Sequence, residues 1–104
     1  MVYRAGNTTR TGSSFKTETV EAVWQKGQPL HGHDPDVWRL DRCGALINRD
    51  QYGDRKAEYG WEVDHMKPVA VGGSDDLANL QPLHWRNNVG KGDDYPNWYC
   101  TITL

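Results

Sequence analysis

No stretch of this 104-residue sequence is apolar enough to cross a membrane. A membrane-spanning helix needs ~20 consecutive apolar residues, and no run in the chain approaches that length. The N-terminal residues MVYRAGNTTRTGSS also lack the apolar stretch of a secretory signal. We therefore expect a cytoplasmic protein that has no membrane partner.

The sequence also lacks an excess of positive charge. Twelve Lys and Arg residues stand against fourteen Asp and Glu residues, which gives a formal net charge of −2. A strongly basic chain would indicate nucleic-acid binding, so the overall composition does not favour that class of function. Local charge matters more than the sum, however, and one bound divalent cation would offset the acidic excess.

Cysteine is scarce, with only Cys43 and Cys100 in the chain. The two could pair in an oxidising compartment, but without a secretory signal we expect them to be reduced, partly buried thiols. Aliphatic residues are also few, whereas five Trp and five Tyr are present. The length and this composition predict one soluble domain with a core built from large rings.

The order of polar and apolar segments predicts a small single domain of the α+β class. Residues 1–16 form a polar N-terminal arm, most simply a solvated one, although Arg4 and Arg10 could touch phosphate. Residues 17–104 form the domain itself. At its start TETVEAVWQ could be a helix or a strand, and its Thr and Glu residues favour a short helix. VWRLD and ALINRD then predict an upstream β-hairpin.

The second half of the chain predicts strand, loop, strand and helix. WEVDH alternates as a strand does, with Glu62 and Asp64 on its polar face. Residues 66–78 contain a proline and a Gly-Gly pair and predict an ordered loop. LQPLHW predicts a second strand that Pro82 confines to an edge or a bulge. HWRNNVGKG predicts a short helix that ends at its glycines.

Five polar residues of this half suit the hydrolysis of a phosphodiester, which needs an activated water and neutralised phosphate oxygens. His65 suits the general base because histidine exchanges a proton near neutral pH. Asp64 and Asn88 offer hard oxygen ligands for Mg²⁺ or Mn²⁺. Lys91 offers a point charge to phosphate, and the amide of Asn79 could fix the loop beside His65.

The stretch from Trp61 to Asp93 resembles the HNH endonuclease motif. The resemblance rests on V-D-H, a following proline, G-G-S-D-D, N-L and N-x-x-K in that order. It implies a ββα-metal core at about residues 60–93. The upstream β-hairpin predicted above and short helices complete the expected domain. The resemblance also implies that His65 is the general base, that Asn79 orients the loop, and that Asp64 and Asn88 bind the metal.

The same resemblance implies one divalent metal ion per site. Mg²⁺ or Mn²⁺ is expected, with Ni²⁺ or Zn²⁺ as alternatives. Lys67, Arg86 and Lys91 are the residues expected to contact nucleic acid.

The sequence departs from the family pattern in its last motif position and in its cysteines. Asn88 stands where many relatives have His, which leaves an oxygen ligand in place. Many relatives also carry two Cys-x-x-Cys pairs for a structural zinc, whereas here the pair near the helix is His84 and Asn87. With only Cys43 upstream, four zinc ligands are not available, so no structural zinc is expected. His84 could bind the catalytic metal, form a remnant site with Cys43, or serve only as a hydrogen-bonding or phosphate-facing residue.

These features together predict a metal-dependent DNA endonuclease that cuts one strand per active site, as a monomer or a homodimer. The DNA could be double-stranded or single-stranded. Two alternatives stay open: a non-catalytic nucleic-acid-binding module on the same scaffold, and an RNase or toxin nuclease.

Overall fold

The structure is a computed structural model, in which residues 6–104 are described. The predicted phosphate contact of Arg4 lies outside this range. Two helices and two small antiparallel sheets form one α+β domain, so the predicted fold class is confirmed. In chain order the elements are α1 Thr17–Trp24, β1 Gln28–Pro29, β2 Trp38–Leu40, β3 Leu46–Asn48, β4 Trp61–His65, β5 Leu80–His84 and α2 Trp85–Lys91. None of the helices in the described range is long and apolar enough to span a membrane.

The first half of the domain is α1 followed by a three-stranded sheet in the order β1, β2, β3. The predicted helix and the predicted hairpin are both confirmed. In the hairpin Arg39 pairs with Ile47, and the turn between the strands contains Gly44 at φ 79°. Glycine suits that position because a side chain is strained at positive φ.

Large rings fill the centre of the molecule, as the composition predicted. The ring centroids of Trp24 and Trp61 lie 5.2 Å apart, and Tyr52 lies 4.9 Å from Trp61. Each buried indole nitrogen finds an acceptor: Trp24 donates to the carbonyl of Pro35 and Trp61 to that of Arg49. Satisfying these nitrogens keeps the burial of tryptophan favourable. The buried cluster consists of Val23, Trp24, Ile47, Trp61, Val63 and Leu80.

The second half is a β-ribbon with a helix at its end, as predicted. β4 and β5 are antiparallel from the Trp61–His84 pair to the His65–Leu80 pair. α2 follows β5 directly, with His84 as the N-cap residue. Since the helix begins only at Trp85, His84 and Asn88 do not share a helix face.

Side chains from outside the ribbon contact both of its edges. On β4 the outward-facing N–H of Val63 donates to the side-chain oxygen of Asn7 at 2.8 Å. On β5 the ammonium group of Lys26 donates to the carbonyl of Leu80 at 2.7 Å. Pro82, opposite Val63, has no N–H to present at the open edge of β5.

The N-terminal arm is not a solvated tail in its described part. Asn7 accepts from Val63 and also from the hydroxyl of Tyr52, and the ring of Phe15 packs against the core. The backbone N–H of Arg10 donates to Asp75, on the loop after β4. The polar composition predicted solvation, but these groups instead bind a backbone N–H of β4, the hydroxyl of Tyr52 and the carboxylate of Asp75.

The expectation of reduced thiols is wrong, since Cys43 and Cys100 form a disulfide. Their Cα atoms lie 5.8 Å apart although 57 positions separate them in sequence. Asn87 brings the C-terminal segment to this place, because its side-chain oxygen accepts from the backbone N–H groups of Thr101 and Ile102. Sequence spacing gave no sign of this approach. Cys43 is consequently not available for a metal site with His84.

Candidate active site

His65 lies at the end of β4, on the same side of the strand as Trp61 and Val63. Its Nε2 atom lies 2.7 Å from a carboxylate oxygen of Asp75. The ring of Phe15 lies 5.8 Å away, centroid to centroid. His65 is therefore held by an acid and an aromatic ring, and it is only 5% exposed.

Asp75 is an anchored residue although its side chain is 39% exposed. Both of its carboxylate oxygens accept from the backbone N–H of Arg10, at 3.1 and 3.2 Å. Partial burial would raise the pKa of Asp75, but the hydrogen bonds from His65 and Arg10 outweigh it and lower that pKa below its usual value. The carboxylate thus stays ionised beside the imidazole.

Asn79 closes the loop that carries Asp75. Its side-chain oxygen accepts from the N–H of Lys67 at 2.8 Å, and its amide nitrogen donates to the carbonyls of Lys67 and Ser74. The loop is so tight that a Cβ atom at Gly73 would lie 1.7 Å from the carbonyl oxygen of Lys67. The second glycine of the Gly-Gly pair is therefore required sterically.

Asp64 projects to the other face of β4, toward α2. One carboxylate oxygen accepts from the amide of Gln81 at 2.9 Å, and the other lies 3.2 Å from the ammonium group of Lys91. Asp64 is 6% exposed, and burial raises the pKa of its carboxyl although Gln81 and Lys91 act against this shift. A nearby cation therefore stabilises the ionised form.

Lys91 is an interior residue in this structure. It is 1% exposed, and its ammonium group also donates to the backbone carbonyl of His65 at 3.0 Å. Contact with a phosphate would require Lys91 to leave the pair that it forms with Asp64.

Asn88 is half-buried on the same side of the ribbon as Asp64. Its amide nitrogen donates to Glu62 at 2.8 Å, and Glu62 also accepts two hydrogen bonds from Arg55. Glu62 was missed by the sequence reasoning. Its position two residues before Asp64, on the polar face of the same strand, is the pattern from which its place beside Asp64 was predictable.

His84 has a hydrogen-bond partner for each ring nitrogen. Nδ1 accepts from the N–H of Arg86 at 3.1 Å, and Nε2 donates to the carbonyl of Glu58 at 2.7 Å. These partners define the tautomer and leave no lone pair for a metal. Lys67 and Arg86 are exposed, and the guanidinium of Arg86 lies 5.2 Å from the ring centroid of Trp85.

Asp41 is a buried acid that the sequence reasoning also missed. One of its oxygens accepts from the N–H groups of Cys43 and Ala45, and the other accepts from the N–H of His84 and the amide of Asn87. This carboxylate ties the hairpin turn to the start of α2. The structure thus joins these two segments by hydrogen bonds.

The predicted residues fall into two groups on opposite sides of β4. His65 and Asn79 lie with the Asp75 loop, whereas Asp64, Asn88 and Lys91 lie between β4 and α2. Neighbouring strand residues project to opposite faces, and β4 continues through His65 before the chain bends. The bend expected near Lys67 therefore comes too late to bring the side chains of Asp64 and His65 to one face.

A hard divalent cation fits the chemistry of Asp64 and Asn88. A carboxylate and an amide supply the oxygen ligands that Mg²⁺ and Mn²⁺ prefer. Among residues 6–104 no group of three or more His, Cys, Asp or Glu side chains is arranged to hold a metal. Water or phosphate oxygens would have to complete the coordination, and Lys91 would have to yield its place at Asp64.

The family profile of the HNH endonucleases matches residues 41–94, just over half of the chain. The chain belongs to the HNH endonuclease family. The match includes the ribbon, its loop and α2, together with the upstream segment that contains Asp41. Searches for similar curated proteins and similar solved structures found no match. HNH domains are generally nucleases that act on nucleic acids with one divalent metal ion.

Proposed function

We propose that this HNH protein is a metal-dependent DNA endonuclease that cuts one strand per active site. The observation that carries the proposal is the family match together with a motif histidine, His65, that is held at 2.7 Å by an ionised acid. A general base needs such a fixed orientation toward its water.

His65 removes a proton from the attacking water in this proposal. The water oxygen bonds to phosphorus while the bond to the leaving oxygen breaks, and that oxygen takes a proton from solvent. Asp64 and Asn88 would hold the divalent metal, which when bound neutralises charge on the phosphate. Lys67 and Arg86, both exposed, would contact the nucleic-acid backbone. Lys91 would contact phosphate only if its ammonium group left the pair with Asp64.

A non-catalytic nucleic-acid-binding module is the second candidate function. It is favoured by the burial of the two central residues, since His65 is 5% and Asp64 is 6% exposed. A substrate must move the arm, the loop or α2 to reach them.

The test is a nicking assay on supercoiled plasmid, with single-stranded DNA and RNA in parallel, across Mg²⁺, Mn²⁺, Ni²⁺ and Zn²⁺. We expect nicked circles to precede linear DNA, because each site cuts one strand. His65→Ala should abolish cleavage while DNA binding in a gel-shift assay persists, and His33→Ala, in an exposed turn, should match the wild type.

Three results would contradict the leading proposal. Intact substrates under every metal, with tight metal-independent binding, would establish the binding module. Cleavage of RNA alone would establish the RNase alternative. Equal cleavage by the wild type and His65→Ala would remove His65 from the chemistry.

A further inference from the structure

The loop between β4 and β5 brings an acid, Asp75, to the proposed general base. We propose that Asp75 is a positioning residue, which accepts a hydrogen bond from Nε2–H of His65 and leaves Nδ1 as the atom that takes the proton from water. This inference rests on the proposed nuclease function and adds to it a residue and a proton-accepting atom.

The tautomer follows from the chemistry of the pair. An ionised carboxylate can only accept hydrogen bonds, so the proton of a neutral His65 must be on Nε2, 2.7 Å from the Asp75 oxygen. Within residues 6–104, Nδ1 has no hydrogen-bond partner. Its lone pair therefore remains for a water. The same carboxylate would stabilise the imidazolium that forms when Nδ1 takes up the proton.

Asp75 is itself fixed from both sides, as a positioning residue must be. The arm holds its two oxygens through the N–H of Arg10. The loop holds its backbone through Asn79, whose amide donates to the carbonyl of the preceding Ser74 at 2.8 Å. The ring of Phe15 limits the remaining motion of His65. The arm and the loop therefore hold the Asp75 carboxylate in place, and this carboxylate fixes the orientation of the imidazole.

The adjacent Asp76 provides a matched control. It has the same charge, lies on the same loop and is exposed. Its side chain does not cap the short helical turn that follows, and its backbone carbonyl accepts from the N–H of Asn79. Asp76→Asn therefore removes the same charge without touching His65.

The experiment compares Asp75→Ala, Asp75→Asn and Asp76→Asn in steady-state nicking kinetics. We expect Asp75→Ala to lower kcat by about 10–100-fold, the usual effect of losing a partner that orients a functional side chain, with KM nearly unchanged. Asp75→Asn should give a smaller loss, because an amide can accept from Nε2–H or donate to the other tautomer. Asp76→Asn should equal the wild type.

The second readout is ¹⁵N NMR of histidine-labelled protein above the imidazole titration range. His65 should show the Nε2–H form in the wild type and in Asp76→Asn, and a mixture of tautomers in Asp75→Asn. A merely structural role of Asp75 would change the unfolding midpoint without changing this ratio. Since Asp75→Asn preserves side-chain shape, it keeps the comparison valid if Asp75→Ala fails to fold.

The outcomes separate the two proposals. An inactive wild type overturns the nuclease proposal, and this inference falls with it. An active wild type, with kcat in both Asp75 variants within twofold of that in Asp76→Asn, overturns the positioning role alone. A wild-type His65 in the Nδ1–H form also overturns it.

Discussion

Lys91 is the most deeply buried charge of the ββα core, at 1% exposure. An ammonium group in such a place loses its hydration, and Asp64 and the carbonyl of His65 are the groups that replace the water. The pair therefore joins the end of β4 to the last turn of α2. It also places a positive charge beside Asp64, one of the two residues proposed to hold a metal.

Replacing Lys91 by Ala should lower the free energy of unfolding by about 3–5 kcal/mol, because it leaves a buried carboxylate without its cation. Urea denaturation followed by tryptophan fluorescence measures this change. Lys56→Ala, at an exposed position, should change the stability by less than about 0.5 kcal/mol. Equal values for the two variants would mean that the pair with Asp64 contributes nothing.

A second residue-scale prediction concerns Asp41. Asp41→Ala leaves four donors, including the N–H groups of Cys43 and His84, without their acceptor. We expect a loss of about 3–5 kcal/mol, because buried unsatisfied donors are costly. Thermal and urea unfolding check it, with the exposed Asp36→Ala as control. A loss near that of the control would show that solvent replaces the carboxylate without cost.

At the scale of elements, the arm is attached to the domain through Asn7, a non-glycine residue at φ 61°. Its side chain completes the hydrogen bonding of β4 at Val63 and also binds Tyr52. Asparagine tolerates this backbone conformation better than most residues do. One residue thus provides both the turn of the arm and its attachment.

Asn7→Ala should therefore destabilise the protein by about 2–3 kcal/mol, through the lost hydrogen bonds and the strained backbone. Asn7→Gly loses the same bonds without the strain, so it should be more stable than Asn7→Ala by about 1 kcal/mol. Hydrogen exchange of the Val63 amide should accelerate in both variants. An unchanged exchange rate would mean that Asn7 does not hold this edge.

The elements were predictable because local patterns determine them. The alternation of WEVDH, the position of Pro82 and the terminal glycines of α2 each act over a few residues. The contacts of Asp75 were not predictable in the same way. Asp75 and Asp76 are adjacent acids in one loop, and nothing in their local sequence distinguishes the one that faces His65. Only the path of the loop, closed by Asn79, decides between them.

Buried polar residues were the other class that sequence patterns could not place. Lys91 and Glu62 are charged residues of the kind that usually lies on a solvated face. The tertiary fold instead packs them between β4 and α2. Their burial depends on partners elsewhere in the chain, such as Arg55 and Asp64. Hydropathy alone assigns such residues to the surface.

At the scale of the whole molecule, the disulfide links the hairpin turn to the C-terminal segment, two parts of the chain that are 57 positions apart in sequence. Replacing Cys43 and Cys100 by Ser should lower the free energy of unfolding by about 2–5 kcal/mol, because the unfolded chain gains freedom. Reductant should have a similar effect on the wild type and none on the double variant. A wild type that is insensitive to reductant would contradict this expectation.

The disulfide also bears on where the protein acts. Such bonds persist in oxidising compartments and are rare in the cytosol. The cytoplasmic location stays a prediction, and the bond between Cys43 and Cys100 counts against it.

The contacts along the two ribbon edges have a consequence for self-association. A two-stranded sheet ordinarily offers rows of unpaired backbone groups, to which a strand of another molecule can add. Here Asn7 binds the outer N–H of Val63, Lys26 and Asp41 bind outer groups of β5, and Pro82 presents no donor at all. Strand addition would have to displace these side chains. The ribbon is thereby protected against edge-to-edge aggregation, and any dimer is expected to form through other surfaces.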